Sequence, residues 1–566
     1  MGEQVHAHWT VPEARALALA LGAHAVVDEL LARRARTAPE AWINRLAEDG
    51  LRAQADEIDR RLAAGEDLPL AGVPFAVKDN IDVAGVPTTA ACPAFATVAA
   101  ASAPVVQRLL DAGGIYVGKT NLDQFATGLV GTRSPQYGVC RNPFDDRFIV
   151  GGSSAGSALA VASGEVPVAL GTDTAGSGRV PAALCGIVGT KPTRGLVPTE
   201  GVFPAMASFD CVSWFTADAV DGATVLDVLT GDASRAVVPV RLGVPTGIDW
   251  WGDDEARLLF EGALDGLRAR GFTIVDVDGA LLREAGAMLY GSALAAERHL
   301  AFGAFAAVHP DEMEPGVAEI VAAAGRHDLA AYVAARAALA PLQARAALLF
   351  QELDALVLPT VARVPTVDEA LTDRLGPSLE LGRLTAFVNP LGCAAVAVPA
   401  GVRSTGVPFG VSFVGPAGSD RALLALADPA SSPRPLAIAV VGAHLTGQPL
   451  NHQLTDLGAV LTQSTTTAPS YRLYALATTP PKPGLVRDGE HGAAIELEVW
   501  SIDEAGLGAF VHAIPAPLGV GKVELADGTE VTGFLCEPHA LADAPEITHL
   551  GGWRAYRADG LTHPTG

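Results

Sequence analysis

Two clusters rich in glycine and serine lie close together in the chain and restrict the folds that it can adopt. They are GGSSAGS, which begins at Gly151, and GTDTAGSGR, which ends at Arg179, and an apolar run joins them. Small residues permit tight turns and let backbone N–H groups approach a ligand closely. We therefore expect residues 151–181 to form two sharp loops between buried elements, with one of the serines beside a bound substrate.

The composition is that of a large globular chain. Its 566 residues are 49% hydrophobic and 18% charged, which excludes a disordered chain. The formal net charge of −24, without any run of lysine or arginine, argues against a nucleic-acid partner. The six cysteines form no CxxC pair and no metal-type spacing with histidine, so we expect no metal site and no cofactor.

The sequence shows no targeting or membrane segment. The amino terminus lacks the basic region and the sustained apolar region of a signal peptide. No uninterrupted apolar span of about 20 residues occurs, so no membrane helix is expected. These features predict a reduced, cytoplasmic protein.

Helical and strand patterns alternate up to residue 427, which predicts an α/β domain over residues 1–427. Residues 11–66 repeat apolar residues at helical spacing, whereas PFAVKDNIDV (74–83) has the pattern of a strand. The stretch 428–436 is rich in proline and serine and predicts a linker. Short strands then predict a separate β-rich domain over 437–566, in which Asp527-Gly528 is typical of a hairpin turn.

A serine nucleophile needs a base, and histidine is the most frequent one. GSSAG fits the GxSxG pattern of α/β-hydrolases, with Ser154 as the nucleophile. That alternative requires a later histidine in the same domain. The candidates are His299, His309 and His327, and all three lie in segments with a helical pattern.

Lysine is the other candidate base, provided that burial lowers its pKa enough to leave the amine neutral. Lys78 lies inside an apolar strand pattern and meets this condition. Lys191, in GTKPTRG, has glycine and proline neighbours and is expected to be less well shielded. A lysine in an apolar strand also often points to solvent, so the residues alone leave this choice open.

Three segments together resemble the amidase signature family of Ser-Ser-Lys amide hydrolases: VPFAVKDNIDVAG, GGSSAGSALAVASG and GTDTAGSGRVPAALCGIVGTKPTRGLVP. The resemblance covers roughly residues 10–427 and implies a mixed central β-sheet flanked by helices. It implies that Ser177 is the nucleophile and that Lys78 is the general base. Ser153, 24 residues before Ser177, matches the bridging serine, which the family holds after a cis peptide bond.

The same resemblance implies an oxyanion hole built from backbone amides. The matching residues are Thr174, Ala175, Gly176 and Ser177, with alanine at 175 where glycine is frequent in the family. Ser154 and Asp173 are interpreted as loop-supporting residues, since a hydroxyl and a carboxylate can bind backbone N–H groups at tight turns.

Tyr290 and Arg298 lie in AGAMLYGSALAAERHL (285–300), which has a helical pattern. Eight residues apart on one helix, the two side chains would project within one half of its surface. A guanidinium with a phenol hydroxyl suits a small carboxylate. The alternative is a solvated arginine beside a core tyrosine.

The end of the chain resembles the C-terminal domain of allophanate hydrolases, which is related in fold to the gamma-glutamyl cyclotransferases. The segments concerned are VVGAHLTGQPLN, SYRLYAL, PGLVRDGEHGAAIELEVW and IPAPLGVGKVELADGTEVTGFLCE. The resemblance implies a β-rich α+β domain and a small anionic amide, allophanate (urea-1-carboxylate), as substrate. It also implies that Tyr290 and Arg298 bind the carboxylate and that the loop from Gly128 to Thr132 faces the substrate.

In that family the first domain releases ammonia and leaves N-carboxycarbamate, and the second domain is implicated in its decarboxylation to carbon dioxide. His491 is the candidate for this second step, because the pKa of histidine lies near neutrality. His444 and His452 are alternatives, and an exposed histidine without a catalytic role is a further one. The resemblance also implies a homodimer and a functional link to urea carboxylase, with cyanuric-acid breakdown as the alternative pathway.

Two other functions remain open from the sequence. One is a different small-amide amidase, acting on a malonamate- or biuret-type substrate, or an amidotransferase-like subunit that needs partner subunits and a basic surface. The other is a binding protein whose C-terminal domain recognises a metabolite while the first domain is inactive. The presence of Lys78, Ser153 and Ser177 together favours an enzyme.

Overall fold

The computed structural model describes residues 8–234, 238–430, 436–502 and 504–562. Its contacts divide the chain into two compact units, Met1–Ser432 and Pro433–Gly566. The division lies inside the predicted linker 428–436, of which residues 431–435 are outside the described residues.

A mixed sheet of eleven strands forms the centre of the first unit. In chain order, the strands of this unit are β1 (Trp42–Arg45), β2 (Pro74–Lys78), β3 (Pro87–Thr88), β4 (Thr97–Val98), β5 (Ile115–Thr120), β6 (Val168–Asp173), β7 (Val188–Lys191), β8 (Cys211–Thr216), β9 (Arg241–Pro245), β10 (Thr273–Val277), β11 (Ala355–Pro359), β12 (Ala394–Val402) and β13 (Pro408–Gly415). The order across the sheet is β1-β5-β2-β6-β8-β7-β12-β13-β11-β9-β10, while β3 and β4 form a separate pair.

Helices pack against this sheet. They are α1 (Val11–Leu21), α2 (Ala23–Arg33), α3 (Glu48–Ala63), α4 (Pro104–Asp111), α5 (Ala155–Ala162), α6 (Val180–Cys185), α7 (Ala219–Thr230), α8 (Asp254–Arg270), α9 (Ala280–Gly291), α10 (Ala296–Val308), α11 (Pro315–Ala324), α12 (Leu329–Glu352), α13 (Val367–Thr372), α14 (Gly376–Gly382) and α15 (Asp420–Ala427). Local sequence explains several of their ends. Helix α1, for example, begins at a capping box in which Thr10 and Glu13 bond to each other's backbone N–H.

Parallel pairing occurs in two groups of strands and positions the candidate catalytic residues. β5, β2 and β6 are parallel neighbours, as are β11, β9 and β10. β2 and β6 are buried along their whole length, as expected for strands covered on both faces. Lys78 ends β2 and Asp173 ends β6. Because the strands are parallel, both residues lie at the same edge of the sheet.

The predicted α/β class with a mixed central sheet is confirmed, but two local predictions are wrong. The helical pattern over 11–66 is interrupted by strand β1, whose residues pair antiparallel with β5 at the edge of the sheet. Trp42 and Ile43 favour a strand, and cross-strand pairing decides the outcome. The strand predicted over 74–83 ends at Lys78, after which the chain turns.

The second unit is β-rich, as predicted. Its strands are β14 (Leu436–Val440), β15 (Val460–Thr466), β16 (Tyr471–Leu476), β17 (Lys482–Arg487), β18 (Glu496–Ile502), β19 (Leu518–Glu524) and β20 (Glu530–Cys536), and its helices are α16 (His452–Thr455), α17 (Glu504–His512) and α18 (Trp553–Thr562). Five strands form a sheet in the order β15-β18-β14-β20-β19, and β16 pairs with β17. The hairpin predicted at Asp527-Gly528 joins β19 to β20, and Gly528 has a φ of +84°.

Helix α12 is long and apolar enough to cross a membrane, judged by length and composition alone. Arg336 and Arg345 interrupt its apolar run. Leu339, Leu342 and Ala346 are its buried residues, and most of its remaining surface is exposed. A single helix of this kind also occurs in soluble proteins, so it is weak support for a membrane span.

Candidate active site

Lys78 directs its amine at two hydroxyl groups in the interior of the first unit. Its Nζ donates to Ser153 Oγ at 2.8 Å and to Thr172 Oγ1 at 2.7 Å, and the side chain is fully buried. Thr172 lies on β6, the parallel neighbour of β2, so the pairing of the two strands sets this contact. The sequence analysis named Lys78 and Ser153 but missed Thr172, whose position beside Asp173 in GTDTAGSGR was the available signal.

Burial lowers the pKa of Lys78 to about 7, because the ammonium loses its hydration. The negative charges of Asp123, Asp173 and Asp210 act in the opposite direction and raise this pKa. The direct partners of the amine are neutral hydroxyls, which stabilise an ammonium less than a bonded carboxylate does. A substantial fraction of Lys78 is therefore neutral near pH 7 and able to accept a proton from serine.

Lys191 is as deeply buried as Lys78, so the prediction that it is less well shielded is wrong. Chain folding around β7 and β12 encloses it despite its glycine and proline neighbours. Its Nζ donates to two backbone carbonyls, those of Pro192 at 2.7 Å and Cys393 at 2.6 Å. Among the described residues, the amine of Lys191 thus bonds to carbonyls and to no serine hydroxyl, which favours Lys78 as the base.

Ser153 lies in the turn that precedes α5, and its peptide bond with Gly152 is cis. Its side chain is fully buried against the amine of Lys78. The adjacent Ser154 Oγ donates to the carbonyl oxygen of Thr172 at 3.1 Å and is thereby tied to β6. This contact agrees with the interpretation of Ser154 as a loop-supporting residue.

The GxSxG alternative lacks a base within reach. Among the described residues, none of the three later histidines forms a hydrogen bond with Ser154. The Nδ1 of His299 lies 3.3 Å from the carbonyl oxygen of Val321, and the ring of His309 stacks on Phe305. The lysine alternative therefore fits the geometry better.

Asp173 organises the loop that carries Ser177. Its carboxylate accepts the N–H groups of Gly176 at 2.9 Å and Gly178 at 3.0 Å. Arg179 adds two further hydrogen bonds, from Nε at 3.0 Å and from Nη2 at 2.9 Å. Burial alone would raise the pKa of Asp173, but Arg179 and the N–H donors outweigh it and hold the pKa below its ordinary value. Ser177 is thus fixed between two anchored glycines.

The backbone donors of this loop differ in availability. The N–H of Gly176 is already bonded to Asp173, whereas those of Ala175 and Ser177 donate to no acceptor within the described ranges. Gly176 has a φ of +138°, and a Cβ there would lie 2.4 Å from Thr385 Oγ1, so only glycine fits. The hydroxyl of Thr385 donates to the carbonyl oxygen of Ala175 at 2.6 Å. The loop can therefore offer free N–H groups on both sides of Gly176 to a developing oxyanion.

Asp210 holds the first residue of the predicted oxyanion loop, and the sequence analysis did not name it. It accepts a hydrogen bond from Thr174 Oγ1 at 2.5 Å and others from the N–H groups of Ala205 and Met206. Burial raises the pKa of Asp210 to about 6, and these donors oppose the rise. Asp210 comes directly before β8, so the sheet fixes its position.

A cavity of about 230 Å³ is lined by Tyr290, Arg298 and Gly128. Arg298 is 4% exposed, and its Nε has no hydrogen-bond partner among the described residues. Its guanidinium carbon lies 5.4 Å from the ring centroid of Tyr290. Arg133, which the sequence analysis missed, also lines this cavity, whereas Thr132 is buried outside its lining. A buried guanidinium without a partner suits a small carboxylate.

The cavity adjoins the loop of the candidate nucleophile through Tyr290. Lys78, Ser153 and Ser177 are not among the residues that line it. Tyr290 nevertheless packs in the same apolar cluster as Ala175 of that loop.

The prediction that Tyr290 and Arg298 share one helix is wrong, although their proximity is real. Helix α9 ends at Gly291, and Ser292 is extended, with a φ of −123° and a ψ of 175°. The Ser292 hydroxyl donates to Met288 O and accepts the N–H of Leu294, which ends one helix and starts the next turn. The two side chains meet because the chain bends there.

The candidate histidine of the second unit lies at the surface. His491 has a side chain that is 73% exposed, with Nδ1 3.8 Å from Asp488 Oδ1. His444 is more enclosed: it stacks on Phe534, and its Nε2 lies 2.9 Å from Gln453 Oε1. Burial lowers the pKa of His444.

The ionisation of Lys78 can be measured directly because the chain contains only five lysines. With lysine labelled at ¹³Cε, we expect one resonance to titrate with a midpoint near pH 7, since burial lowers the pKa of Lys78. Lys78→Met should remove that resonance, and Lys522→Met, on strand β19, should leave it unchanged. A Lys78 resonance that titrates near pH 10 would contradict the assignment.

Comparisons with known proteins agree with this geometry. The family model for amidases matches residues 25–424, and the model for the allophanate hydrolase C-terminal domain matches residues 436–558. The urea amidolyase of Lachancea kluyveri is 40% identical over 93% of this chain and 32% of its own length. That of Saccharomyces cerevisiae is 38% identical over 91% of this chain and 31% of its own length. The chain thus spans about a third of these relatives.

Among solved structures, the allophanate hydrolase of Kluyveromyces lactis is 36% identical, with a TM-score of 0.73. The match covers 97% of this chain and 99% of that one. A glutamyl-tRNA(Gln) amidotransferase component from Deinococcus deserti is 35% identical but covers only 71% of this chain. The chain therefore belongs to the amidase family and, over nearly its whole length, to the allophanate hydrolases within it.

Proposed function

We propose that this chain hydrolyses allophanate, with the first unit releasing ammonia and the second assisting decarboxylation. The observation that carries the proposal is the contact between the amine of Lys78 and Ser153, in a unit that also holds an unpartnered guanidinium at a cavity. The similarity to Kluyveromyces lactis allophanate hydrolase over both units supports the substrate.

The first step forms an acyl-enzyme. Neutral Lys78 accepts the proton of Ser153, while Ser153 accepts the proton of Ser177. The oxygen of Ser177 then attacks the terminal amide carbon of allophanate. N–H groups of the loop 174–177 bind the resulting oxyanion, a contribution of about 3–4 kcal/mol for each donor.

The second step reverses the proton path. Ser153 returns a proton to the amide nitrogen, the carbon–nitrogen bond breaks, and ammonia leaves. Water then attacks the ester of Ser177, with the same pair acting as base. The serine is regenerated and N-carboxycarbamate departs.

Arg298 and Tyr290 bind the carboxylate of the substrate in this proposal. The unpartnered Nε of Arg298 and the phenol of Tyr290 face the same cavity, and Gly128 of the loop from Gly128 to Thr132 lines it as well. Such a site selects an anion, because a neutral ligand would leave the buried guanidinium unpaired.

The second unit supplies the proton for decarboxylation through His491. Loss of carbon dioxide from N-carboxycarbamate leaves a nitrogen that must take up a proton, and a histidine side chain can hold and donate one. The exposed ring of His491 is accessible to a product released into solution.

We further propose that the chain acts in the cytoplasm as a homodimer, in urea degradation linked to a urea carboxylase activity. The matches to soluble enzymes support a soluble protein, and the urea amidolyases join a region like this one to further sequence. The exposed side of α12, with Leu329, Val333 and Leu348, is apolar surface that a second copy would cover.

Replacing the nucleophile tests the catalytic assignment. Ser177→Ala should lower ammonia release from allophanate by about four orders of magnitude, because acylation is lost. Ser154→Ala is the matched control and should retain activity within about tenfold, because Ser154 bonds only to β6. Both variants should keep the wild-type thermal unfolding transition. Full activity in Ser177→Ala, or loss only in Ser154→Ala, would overturn the assignment.

Removing the guanidinium tests the substrate class. Arg298→Met should lower kcat/KM for allophanate by roughly 100-fold and change that for neutral biuret far less, since only allophanate carries a carboxylate. Arg345→Met, at an exposed arginine paired with Glu284, is the control and should change neither. Equal losses on both substrates would contradict carboxylate binding, and wild-type activity on biuret without activity on allophanate would exclude the proposed substrate.

The role of His491 is tested by following ammonia and carbon dioxide separately. His491→Asn should leave the first equivalent of ammonia unchanged and slow carbon dioxide release, because the proton donor is lost. His539→Asn replaces an equally exposed histidine beside a glutamate in the same unit and should have no effect. Unchanged carbon dioxide release in His491→Asn would remove this residue from the mechanism.

A further inference from the structure

Asp123 is a fully buried carboxylate that lies between the end of β5 and the candidate substrate loop. Its two oxygens accept three backbone N–H groups: those of Val130 at 3.2 Å, Gly131 at 3.1 Å and Arg133 at 2.9 Å. A short stretch of backbone thus wraps around a single side chain. The segment 127–133 has its shape because of this carboxylate.

Two glycines from different loops make room for the same oxygen atom. A Cβ at Gly128 would lie 2.6 Å from Asp123 Oδ2, and a Cβ at Gly152 would lie 2.3 Å from it. Real Cβ atoms do not approach so closely. Gly152 directly precedes Ser153, and Gly128 lines the cavity of Arg298. One carboxylate therefore contacts both the proton-relay turn and the substrate loop.

Backbone hydrogen bonds join the same two loops. The N–H of Asp123 donates to the carbonyl oxygen of Ser153 at 3.1 Å, and that of Gly152 donates to Leu129 at 2.8 Å. Arg133 closes the segment, with Nη1 donating to the carbonyl oxygen of Thr127 at 3.0 Å. The side chain of Asp123 thus binds the segment 127–133, and its backbone N–H binds the turn that carries Ser153.

We propose that Asp123 is a positioning residue that fixes Ser153 and the substrate loop 127–133 relative to each other. The proposal rests on the proposed amidase function of the first unit, but not on the identity of the amide. Asp123 touches neither the reacting atoms nor the substrate. It acts through Ser153 and through Gly128.

The charge of Asp123 adds a second effect, on Lys78. Among the charged groups that raise the pKa of Lys78, Asp123 acts most strongly, followed by Asp173 and Asp210. The direct neighbours of the amine are neutral hydroxyls. Removal of the charge at 123 should therefore lower the pKa of Lys78.

Burial and the hydrogen-bond donors around Asp123 act on its charge in opposite directions. Burial is the larger influence and raises the pKa of Asp123 above its ordinary value, while the Arg133 guanidinium and the three N–H donors oppose the rise. Three N–H donors that point at one carboxyl group are better accepted by a carboxylate than by a protonated carboxyl, which has a donor of its own. An asparagine would present two donor hydrogens to some of the same N–H groups and lose those bonds.

The test compares Asp123→Asn with Gly128→Ala and with the matched control Asp221→Asn. Asp221 is also a buried aspartate that accepts a backbone N–H, from Val11, but it is not among the carboxylates with the strongest effect on the pKa of Lys78. The rate of phosphonylation of Ser177 by a fluorophosphonate, in which the serine oxygen displaces fluoride from phosphorus, is measured from pH 5 to 10, together with kcat and KM for allophanate. The first measurement does not depend on the natural substrate.

Asp123→Asn should move the acidic limb of the pH profile for phosphonylation to lower pH by roughly one unit and lower kcat/KM for allophanate by roughly 10- to 100-fold. Gly128→Ala keeps the charge, so it should raise KM without moving the limb. Asp221→Asn should change neither quantity. If Asp123 had only a structural role, Asp123→Asn would lower the folded fraction in thermal unfolding and leave the acidic limb of the pH profile unchanged.

The proposal would be overturned if Asp123→Asn folds and has both the acidic limb and the KM of the wild-type protein. If Asp123→Asn does not fold, Gly128→Ala decides, and an unchanged KM in that variant would overturn it. If the wild-type protein reacts with the fluorophosphonate but does not hydrolyse allophanate, the proposed substrate is overturned and the phosphonylation test of Asp123 still applies.

Discussion

Lys78 lies in the interior of the first unit with hydroxyl groups, rather than a carboxylate, as its direct partners, and the chemistry proposed here depends on that difference. Two other lysines are equally buried. Lys119, on the adjacent strand β5, has an ion pair with Asp79 at 3.2 Å, and Lys191 is bonded to two carbonyls. An ammonium that keeps its proton is stabilised by such partners, whereas hydroxyls can both accept a proton and donate one. The three lysines are equally buried, but only Lys78 has direct partners that suit a general base.

The carboxylates nearest the site are occupied by the backbone. Asp123 holds the substrate loop, Asp173 holds the loop of Ser177, and Asp210 holds Thr174 together with the turn at Ala205 and Met206. Each of them satisfies N–H groups that a sharp buried loop would otherwise leave unpaired. Because their oxygens are directed at these donors, they influence Lys78 through charge at a distance and form no ion pair with it among the described residues. Loop geometry and pKa control thus come from the same side chains.

The sequence was most informative where a short segment carries its own structure. The glycine and serine clusters, the strand of Lys78 and the hairpin at Asp527-Gly528 could be predicted, because turn chemistry and apolar patterning are local. Contacts between distant segments could not be: Thr172 meets Lys78 only through strand pairing, and Arg133 reaches the cavity only through the loop around Asp123. Tyr290 and Arg298 were paired by a helix that does not exist. A serine cap at 292 breaks it, and local propensity did not predict that break.

Within the described part of the chain, Arg298 differs from the other buried arginines of the first unit in its lack of a bonded partner. Two other buried guanidinium groups in this unit have carboxylate partners, Asp173 for Arg179 and Asp253 for Arg403, and that of Arg133 bonds to backbone carbonyls. Arg298 has no ion pair among the described residues, and its Nε is unsatisfied. An unpaired buried charge destabilises a fold, which supports the proposal that an anion from outside binds Arg298. Lys78 and Arg298 are two buried cationic side chains that bond to neither a carboxylate nor a carbonyl among the described residues. Lys78 can give up its charge because burial favours the neutral amine, whereas Arg298 cannot, and this difference is the reason for proposing an anion as its partner.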